Sequence, residues 1–272
     1  MKRRYARPKK RLGQNFLYDP AIAERIVSAA DLAAGDVVVE LGPGRGILTR
    51  ALAARDVRLI ALELDSALQE TLAEEFGAAV EVINADFTGV SIHNLLQDRG
   101  LRRCTLMGNI PYHLTREVLF GFLVDEFESL EGAVIMVQRE VGERIVSPPG
   151  SRVYGITSVV LQSLYAVDVV ARVAPGSFQP PPKVASSVLR FQPLADPLPG
   201  AERAEFVALV KNVFQQRRKT LQNTLRAFYS LSNQRLAAVA ADAGIDLGAR
   251  PEALGKEEFH RLARSLAKES KQ

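Results

Sequence analysis

The stretch Asp36-Val37-Val38-Val39-Glu40-Leu41-Gly42-Pro43-Gly44-Arg45-Gly46 decides the fold. A β-branched run that stops at a glycine cluster reads as a short strand buried in a parallel sheet. Glycines at 42, 44 and 46 let the backbone turn tightly and approach a ligand closely. Ile47 to Arg55 reads as the helix that follows. The spacing is G-x-G-x-G, not the G-x-G-x-x-G that cradles a pyrophosphate. Such a loop by itself suits NAD, FAD, S-adenosylmethionine or a bare tight turn. The missing pyrophosphate spacing shifts weight toward S-adenosylmethionine, which has no phosphates.

Outward from this loop the pattern repeats. Arg58–Glu63, Val80–Ile83, Cys104–Met107 and Ala133–Val137 read as further strands, and Ser66 caps a helix that runs to Phe76. Upstream, Asp19 and Pro20 start a helix over 20–30. Ala166–Arg172 and Ser186–Phe191 read as a terminal strand pair. Strand alternating with helix predicts an α/β fold, a parallel sheet covered by helices on both faces. Gln192–Gly200 holds three prolines and a glycine in nine residues and reads as a linker. Beyond it the pattern is helical to the end. The expected domains are therefore 1–195, with a basic arm at 1–11, and a helical domain at 196–272.

Composition narrows the class. The chain has 272 residues, 47% of them hydrophobic and 24% charged, which excludes wholesale disorder. No run reaches the ~18 apolar residues of a membrane-spanning helix. Cys104 is the single cysteine, so no disulfide framework or cysteine-based zinc site is expected, and no metal is called for. The basic N-terminus has no apolar stretch behind it and is no secretory signal, so a cytoplasmic location is expected. The net charge of +4 hides an asymmetry. Residues 1–11 carry seven basic and no acidic groups, 12–195 are net acidic, and 196–272 are net basic. An acidic middle between basic ends suits a polyanion held at the periphery, and equally a solvated tail that binds nothing.

Two carboxylates follow the glycine loop at successive strand ends. Glu63 stands 21 residues after Gly42, where it can accept from ribose hydroxyls. Asp86 follows the next strand, where it can accept from an adenine amine. The fourth strand runs into Gly108-Asn109-Ile110-Pro111-Tyr112. Asn-x-Pro-Tyr here resembles the signature of enzymes that methylate exocyclic amines of nucleic-acid bases. Such an amine is a poor nucleophile, because its lone pair is delocalised into the ring. Two acceptors aimed at its N–H groups favour the pyramidal form. The Asn109 amide oxygen can be one, and the carbonyl of Ile110 or Pro111 the other. Tyr112 offers a face on which a splayed-out base can stack, worth ~1–3 kcal/mol. With an activated methyl donor, catalysis becomes alignment and electrostatics, and no general base is required. His93, His113 and His260 are accordingly read as incidental.

Several blocks together resemble the small-subunit (16S) ribosomal RNA adenine dimethyltransferases. They are Lys9–Leu17, Glu40–Gly46, Asn109–Tyr112, Gln138–Arg144, Tyr154–Val159, Phe178–Val188, Phe214–Asn223, Arg250–Leu254 and Glu258-Phe259. The resemblance spans nearly the whole chain. It implies a Rossmann-like class I methyltransferase sheet with a small C-terminal all-helical domain, and S-adenosylmethionine as cofactor. It implies that Asn15, Leu17, Gly42, Gly44, Glu63, Asp86 and Asn109 touch that cofactor. It favours Pro111 as the second acceptor and places Phe178 opposite Tyr112 around the target adenine. It reads Arg217, Arg218 and Lys219 as part of a basic helix which, with Lys9, Lys10 and Arg11, would grip RNA phosphates. The implied reaction places two methyl groups on N6 of each of two adjacent adenosines near the 3′ end of 16S rRNA in the small ribosomal subunit. No membrane partner is expected, and a monomer is the default.

One position departs from the pattern. The family commonly has Leu where this chain has Ile110, and Ile there is common in the sister group that methylates large-subunit (23S) rRNA and confers macrolide resistance. The Phe178–Val188 and Arg217–Asn223 blocks argue for the small-subunit branch. Two other classes stay open: a ribosome-assembly factor without catalysis, and a nicotinamide-dependent oxidoreductase on the same sheet.

Overall fold

The computed structural model describes Pro8, Lys9 and residues 12–269. In chain order the strands are β1 (Phe16–Leu17), β2 (Val37–Leu41), β3 (Arg58–Glu63), β4 (Val80–Asn84), β5 (Cys104–Asn109), β6 (Leu130–Gln138), β7 (Tyr165–Val173), β8 (Phe178–Gln179) and β9 (Ser186–Pro193). The helices are α1 (Pro20–Ser28), α2 (Ile47–Ala53), α3 (Ser66–Phe76), α4 (Ile92–Gln97), α5 (Arg139–Ile145), α6 (Ile156–Gln162), α7 (Gly200–Gln215), α8 (Leu221–Tyr229), α9 (Asn233–Ala243) and α10 (Lys256–Glu269). The chain divides into two compact units.

The first unit holds residues up to Gly142 together with Val167–Gln192. Its seven-stranded sheet has the order β4-β3-β2-β5-β6-β9-β7. β2, β3, β4, β5 and β6 run parallel, and β9 returns antiparallel to β6. Val38, Val39 and Leu41 of β2 are fully buried, as a strand covered on both faces requires. Each such side chain contributes about 1.5–3 kcal/mol of burial. The chain moves outward from β2 through β3 to β4, then crosses back to β5 on the other side. That reversal opens a crevice at the carboxyl ends of β2 and β5, where open α/β sheets bind ligands. A second pairing, β1 antiparallel to β8, joins residues far apart in sequence, with Leu17 opposite Phe178.

Helix starts follow local chemistry. The Asp19 carboxylate accepts from the N–H groups of Ala21 and Ile22, with Pro20 at the first helical position. α3 is capped by Asp65 rather than by Ser66, because the Asp65 carboxylate reaches the Ala67 N–H.

The second unit contains Glu143–Ala166 as well as the chain from Pro193 onward. It is therefore discontinuous, whereas the sequence pattern places it wholly beyond residue 195. The physical reason is α6, where Ser158, Val159, Val160 and Leu161 are consecutively buried. A helix buried on all sides needs neighbours on all sides, and α7 and α10 supply them. Phe214 of α7 lies 5.9 Å from Phe259 of α10 and 6.3 Å from Tyr154, centroid to centroid. Arg217, Arg218 and Lys219 are not on a helix. They occupy the turn between α7 and α8, closed by a Lys219 N–H donated to the Gln216 carbonyl at 2.8 Å. The start of α8 is tied to another loop, Leu221 N–H to Ala249 O and Gln222 N–H to Leu247 O, and this interrupts the helix.

Candidate functional site

One cavity of about 280 Å³ opens at the switch point of the sheet. Gly42–Arg45 of the glycine loop form one wall. Gly44 has φ +60, and a Cβ there would lie 2.9 Å from the Phe16 ring, so the loop backbone sits directly against β1. The Arg45 guanidinium covers that same ring at 4.5 Å and donates to Gln179. The stretch Leu12–Leu17 forms the facing wall.

Glu63 closes β3 and is 5% exposed. Its Oε2 accepts the Gly44 N–H and its Oε1 the Asp65 N–H, both at 2.9 Å. Burial raises its pKa, and those backbone donors oppose the shift. Asp86 turns one oxygen back on its own loop, accepting from the Thr88 N–H at 3.0 Å and the Thr88 hydroxyl at 2.7 Å. Asn109 ends β5. Its Nδ2 donates to the Asn15 carbonyl at 3.0 Å, which fixes the amide plane and leaves Oδ1 as the outward acceptor. The Pro111 carbonyl takes the Leu114 N–H at 2.9 Å and keeps a second lone pair. Tyr112 is half-buried, with its hydroxyl 2.9 Å from Ser186 Oγ. Burial raises its pKa despite the Ser186 hydrogen bond, so the phenol is neutral.

The cavity gathers Asn15, Leu17, Gly42, Gly44, Glu63 and Asp86 with Asn109, Pro111 and Tyr112. Phe178 is not among its lining residues. It is 3% exposed and lies in the core with Leu17, Ala23 and Ile26. Lys9 forms an ion pair with Asp65 at 2.8 Å. Burial would raise the Asp65 pKa, but the Lys9 hydrogen bond and charge outweigh it and hold the carboxyl below the usual range. Lys10 and Arg11 lie outside the described residues. In the second unit, Arg217 donates to the Ser151 carbonyl and faces Glu252 at 3.7 Å, while Arg218 and Lys219 are exposed.

Leu64, Glu40 and His113 line the cavity although the sequence analysis gives none of them a role at the site. Leu64 is 47% exposed directly after Glu63, an apolar surface at the mouth. Its signal was an apolar residue just past a strand-closing acid. Glu40 is 1% exposed and lines the floor; its signal was a charge inside a valine strand. His113, read as incidental, borders the cavity, and a Cβ on Gly13 would come within 3.0 Å of its Nδ1. His93 is exposed, and His260 is packed against Phe206 at 4.9 Å.

A parallel sheet with a glycine loop, strand-end carboxylates and an Asn-Ile-Pro-Tyr turn at its switch point defines a Rossmann-like class I methyltransferase fold, here accompanied by a helical C-terminal region. The sequence places it more narrowly. Residues 6–268 match the ribosomal RNA adenine dimethylase family, and the chain belongs to that family. It is 40% identical over 264 residues to a ribosomal RNA small subunit methyltransferase A of Geobacter metallireducens, covering 96% of each chain. It is 43% identical over 269 residues to a protein of the same name from an Anaeromyxobacter species, covering 96% of this chain and 94% of that one. Among solved structures, the 23S rRNA methyltransferase ErmE aligns with a TM-score of 0.72 at 28% identity, over 93% of this chain and all of ErmE. A dimethyladenosine transferase from Plasmodium falciparum aligns with a TM-score of 0.77 at 22% identity, over 94% of this chain and 98% of that one, a likeness of fold.

Proposed function

We propose that this protein dimethylates N6 of two adjacent adenosines in the 3′-terminal hairpin of small-subunit (16S) rRNA, with S-adenosylmethionine as methyl donor. The observation that carries the reading is Asn109. Its Nδ2 is committed to the Asn15 carbonyl, so its Oδ1 is presented as an acceptor at the end of β5. An acceptor held there, with the Pro111 carbonyl beside it, suits the two N–H groups of an exocyclic amine. Both contacts favour the pyramidal amine and localise its lone pair. Tyr112 provides the stacking face, and Ser186 anchors its hydroxyl. Unpaired bases are the natural targets, because paired ones hide their edges.

The cavity suits the donor chemically. Glu63 would accept from ribose hydroxyls, and Asp86 from the adenine amine through its outer oxygen. Leu64 and Phe87 offer apolar surface to the purine. S-adenosylmethionine supplies a methyl group already activated on a sulfonium. The protein's own task is then to orient the amine and exclude water, which preorganised acceptors do without a base. Arg218 and Lys219, with the N-terminal basic arm, would hold phosphates and position the RNA. Phe178 would reach the base only by leaving the core, so Tyr112 carries the stacking. On this reading the chain acts in the cytoplasm as a monomer.

The 23S reading rests on Ile110 and on the likeness to ErmE at 28% identity. Relatives named for the small subunit are 40% and 43% identical over nearly the whole chain, which supports the 16S assignment. The test offers labelled S-adenosylmethionine with undermethylated small subunits and, separately, with undermethylated large-subunit rRNA. Dimethyladenosine at two neighbouring small-subunit positions is the expected result. Label confined to large-subunit RNA would establish the resistance-type activity instead. Cofactor binding without transfer to either would leave the assembly-factor role.

A further inference from the structure

A second cavity, of about 580 Å³, adjoins the first within the same unit, and the two share Leu17, Arg45 and Ile47. Its size suits a small organic group, for which cavities run to roughly 300–1,000 Å³. Pro20 and Ala23 of α1 and Ala51 of α2 give it an apolar lining. Tyr18 and Gln179 add an aromatic face and an amide. The Tyr18 N–H donates to the Ser177 carbonyl at 3.1 Å, and its hydroxyl donates to the Gly176 carbonyl at 2.5 Å. The residue is thus tied at its backbone and at its ring, yet it stays 58% exposed. Gln179 is exposed, and its Oε1 accepts from Arg45 at 3.2 Å, which leaves Nε2 as a donor. Arg45 is the cation common to both cavities. Arg50 also lines the second, but its guanidinium is committed to Glu75. Glu24, the acid in this lining, is paired with Arg55.

The occupant follows from the RNA reading above, on which this inference rests. An enzyme that modifies two adjacent adenosines holds one at Asn109 and Tyr112 and has to place its unpaired neighbour close by. Consecutive nucleotides are joined by one phosphate, and these adjoining cavities share one cation. A fixed, exposed aromatic face stacks a base, and an amide donor meets the ring nitrogens of a purine edge. The groups assigned to the cofactor do not claim this space, since Gly42, Gly44, Glu63 and Asp86 line the first cavity and not the second. We propose that the second cavity is a subsite for the nucleotide next to the target adenosine, with its base on the Tyr18 ring, its edge against Gln179 Nε2 and the linking phosphate at Arg45. The protein then recognises its substrate as a pair of nucleotides, and the base that is not being methylated holds its neighbour in position.

The test is a cycle between protein and RNA. Small subunits are rebuilt with each of the two adenosines replaced in turn by an abasic ribose, and methyl transfer to the remaining adenosine is followed with the whole chain. In at least one of the two substrates, loss of the neighbouring base should lower kcat/KM about tenfold, the scale of one base–aromatic stack. Tyr18→Ala should lower kcat/KM on the intact substrate by a similar factor and add no further loss on that abasic one. Tyr18→Phe keeps the ring and loses the hydroxyl tie, and it should restore most of what Tyr18→Ala loses. S-adenosylmethionine affinity, measured by calorimetry, should be the same in Tyr18→Ala as in the unmodified protein. If Tyr18→Ala does not fold, Gln179→Ala runs the same cycle at the base edge with the same criterion. Additive losses, abasic substrates as good as the intact one, equal damage in Tyr18→Ala and Tyr18→Phe, or a drop in cofactor affinity would each overturn the subsite and leave the methyltransferase reading standing. Failure of the unmodified protein to methylate intact small subunits would overturn that reading, and the subsite with it.

Discussion

Gly44→Ala tests how closely the loop and β1 are fitted. Gly44 has φ +60, and its added Cβ would lie 2.9 and 3.0 Å from two atoms of the Phe16 ring. The left-handed backbone costs a non-glycine residue about 1–2 kcal/mol. Pushing a methyl into a filled contact adds about 1–3 kcal/mol. The ring has little room to yield, because it is 7% exposed and covered by Arg45 at 4.5 Å. Gly44→Ala should therefore lower the stability of the first unit by about 2–5 kcal/mol. The displaced segment is β1 with its neighbour Asn15, and the moved N–H is the one that Glu63 accepts, so cofactor affinity should fall at least tenfold. A double-variant cycle separates the contributions. Combining Gly44→Ala with Phe16→Ala should recover the clash and leave the backbone cost, a coupling of about 1–3 kcal/mol. Urea unfolding followed by circular dichroism measures stability, and calorimetry measures affinity. Strictly additive single effects, or a Gly44→Ala loss below about 1 kcal/mol, would refute the steric account.

Three further perturbations probe separate parts of the protein. Tyr112→Ala should cut methyl transfer far more than cofactor binding, whereas Tyr112→Phe removes only the Ser186 hydrogen bond and should cost about 0.5–1.5 kcal/mol; equal loss of transfer and cofactor binding in Tyr112→Ala would remove the stacking role. Lys9→Ala strips the partner from buried Asp65 and should weaken cofactor binding by loosening Leu12–Leu17. Because the Asp65 pKa is lowered in the folded state, the pair's stabilisation is present above the ordinary aspartate pKa and fades as pH falls through the lowered one, so acid melts of parent and variant should converge. Arg218→Ala with Lys219→Ala should weaken RNA binding and flatten its salt dependence, with cofactor affinity unchanged; an unchanged salt slope would exclude phosphate contacts there.

Arg58–Glu63 was legible to the residue and the helix ending at Phe76 to within one residue at its start, because an apolar run and an apolar helical face mark both without help from distant chain. β1 and β8 were not, since two residues carry no period and each is a strand only through the other. The basic run 217–219 misled for a related reason: its helix is interrupted by hydrogen bonds from Leu221 and Gln222 to residues 249 and 247, which local sequence does not show. At the site, Glu63, Asp86 and Asn109 could be placed because strand ends are readable. Which carboxylate oxygen is satisfied, and which side chain lies buried, depends on neighbours from other strands. Glu40 and Phe178 are the two cases where that mattered most.

The detour of Glu143–Ala166 has a consequence for how the protein is made. As the chain leaves the ribosome, β2 to β6 emerge first, followed by a piece of the other unit that has as yet nothing to fold against. Only then do β7 and β9 arrive to finish the sheet, and α7 and α10 come later still to cover the apolar sides of α6. Neither unit can be completed before synthesis has moved on to the other. A chain cut at residue 195 would strand α6 with its valines bare, so a working separation of the two units requires rejoining the chain across residues 143–166 rather than a single truncation.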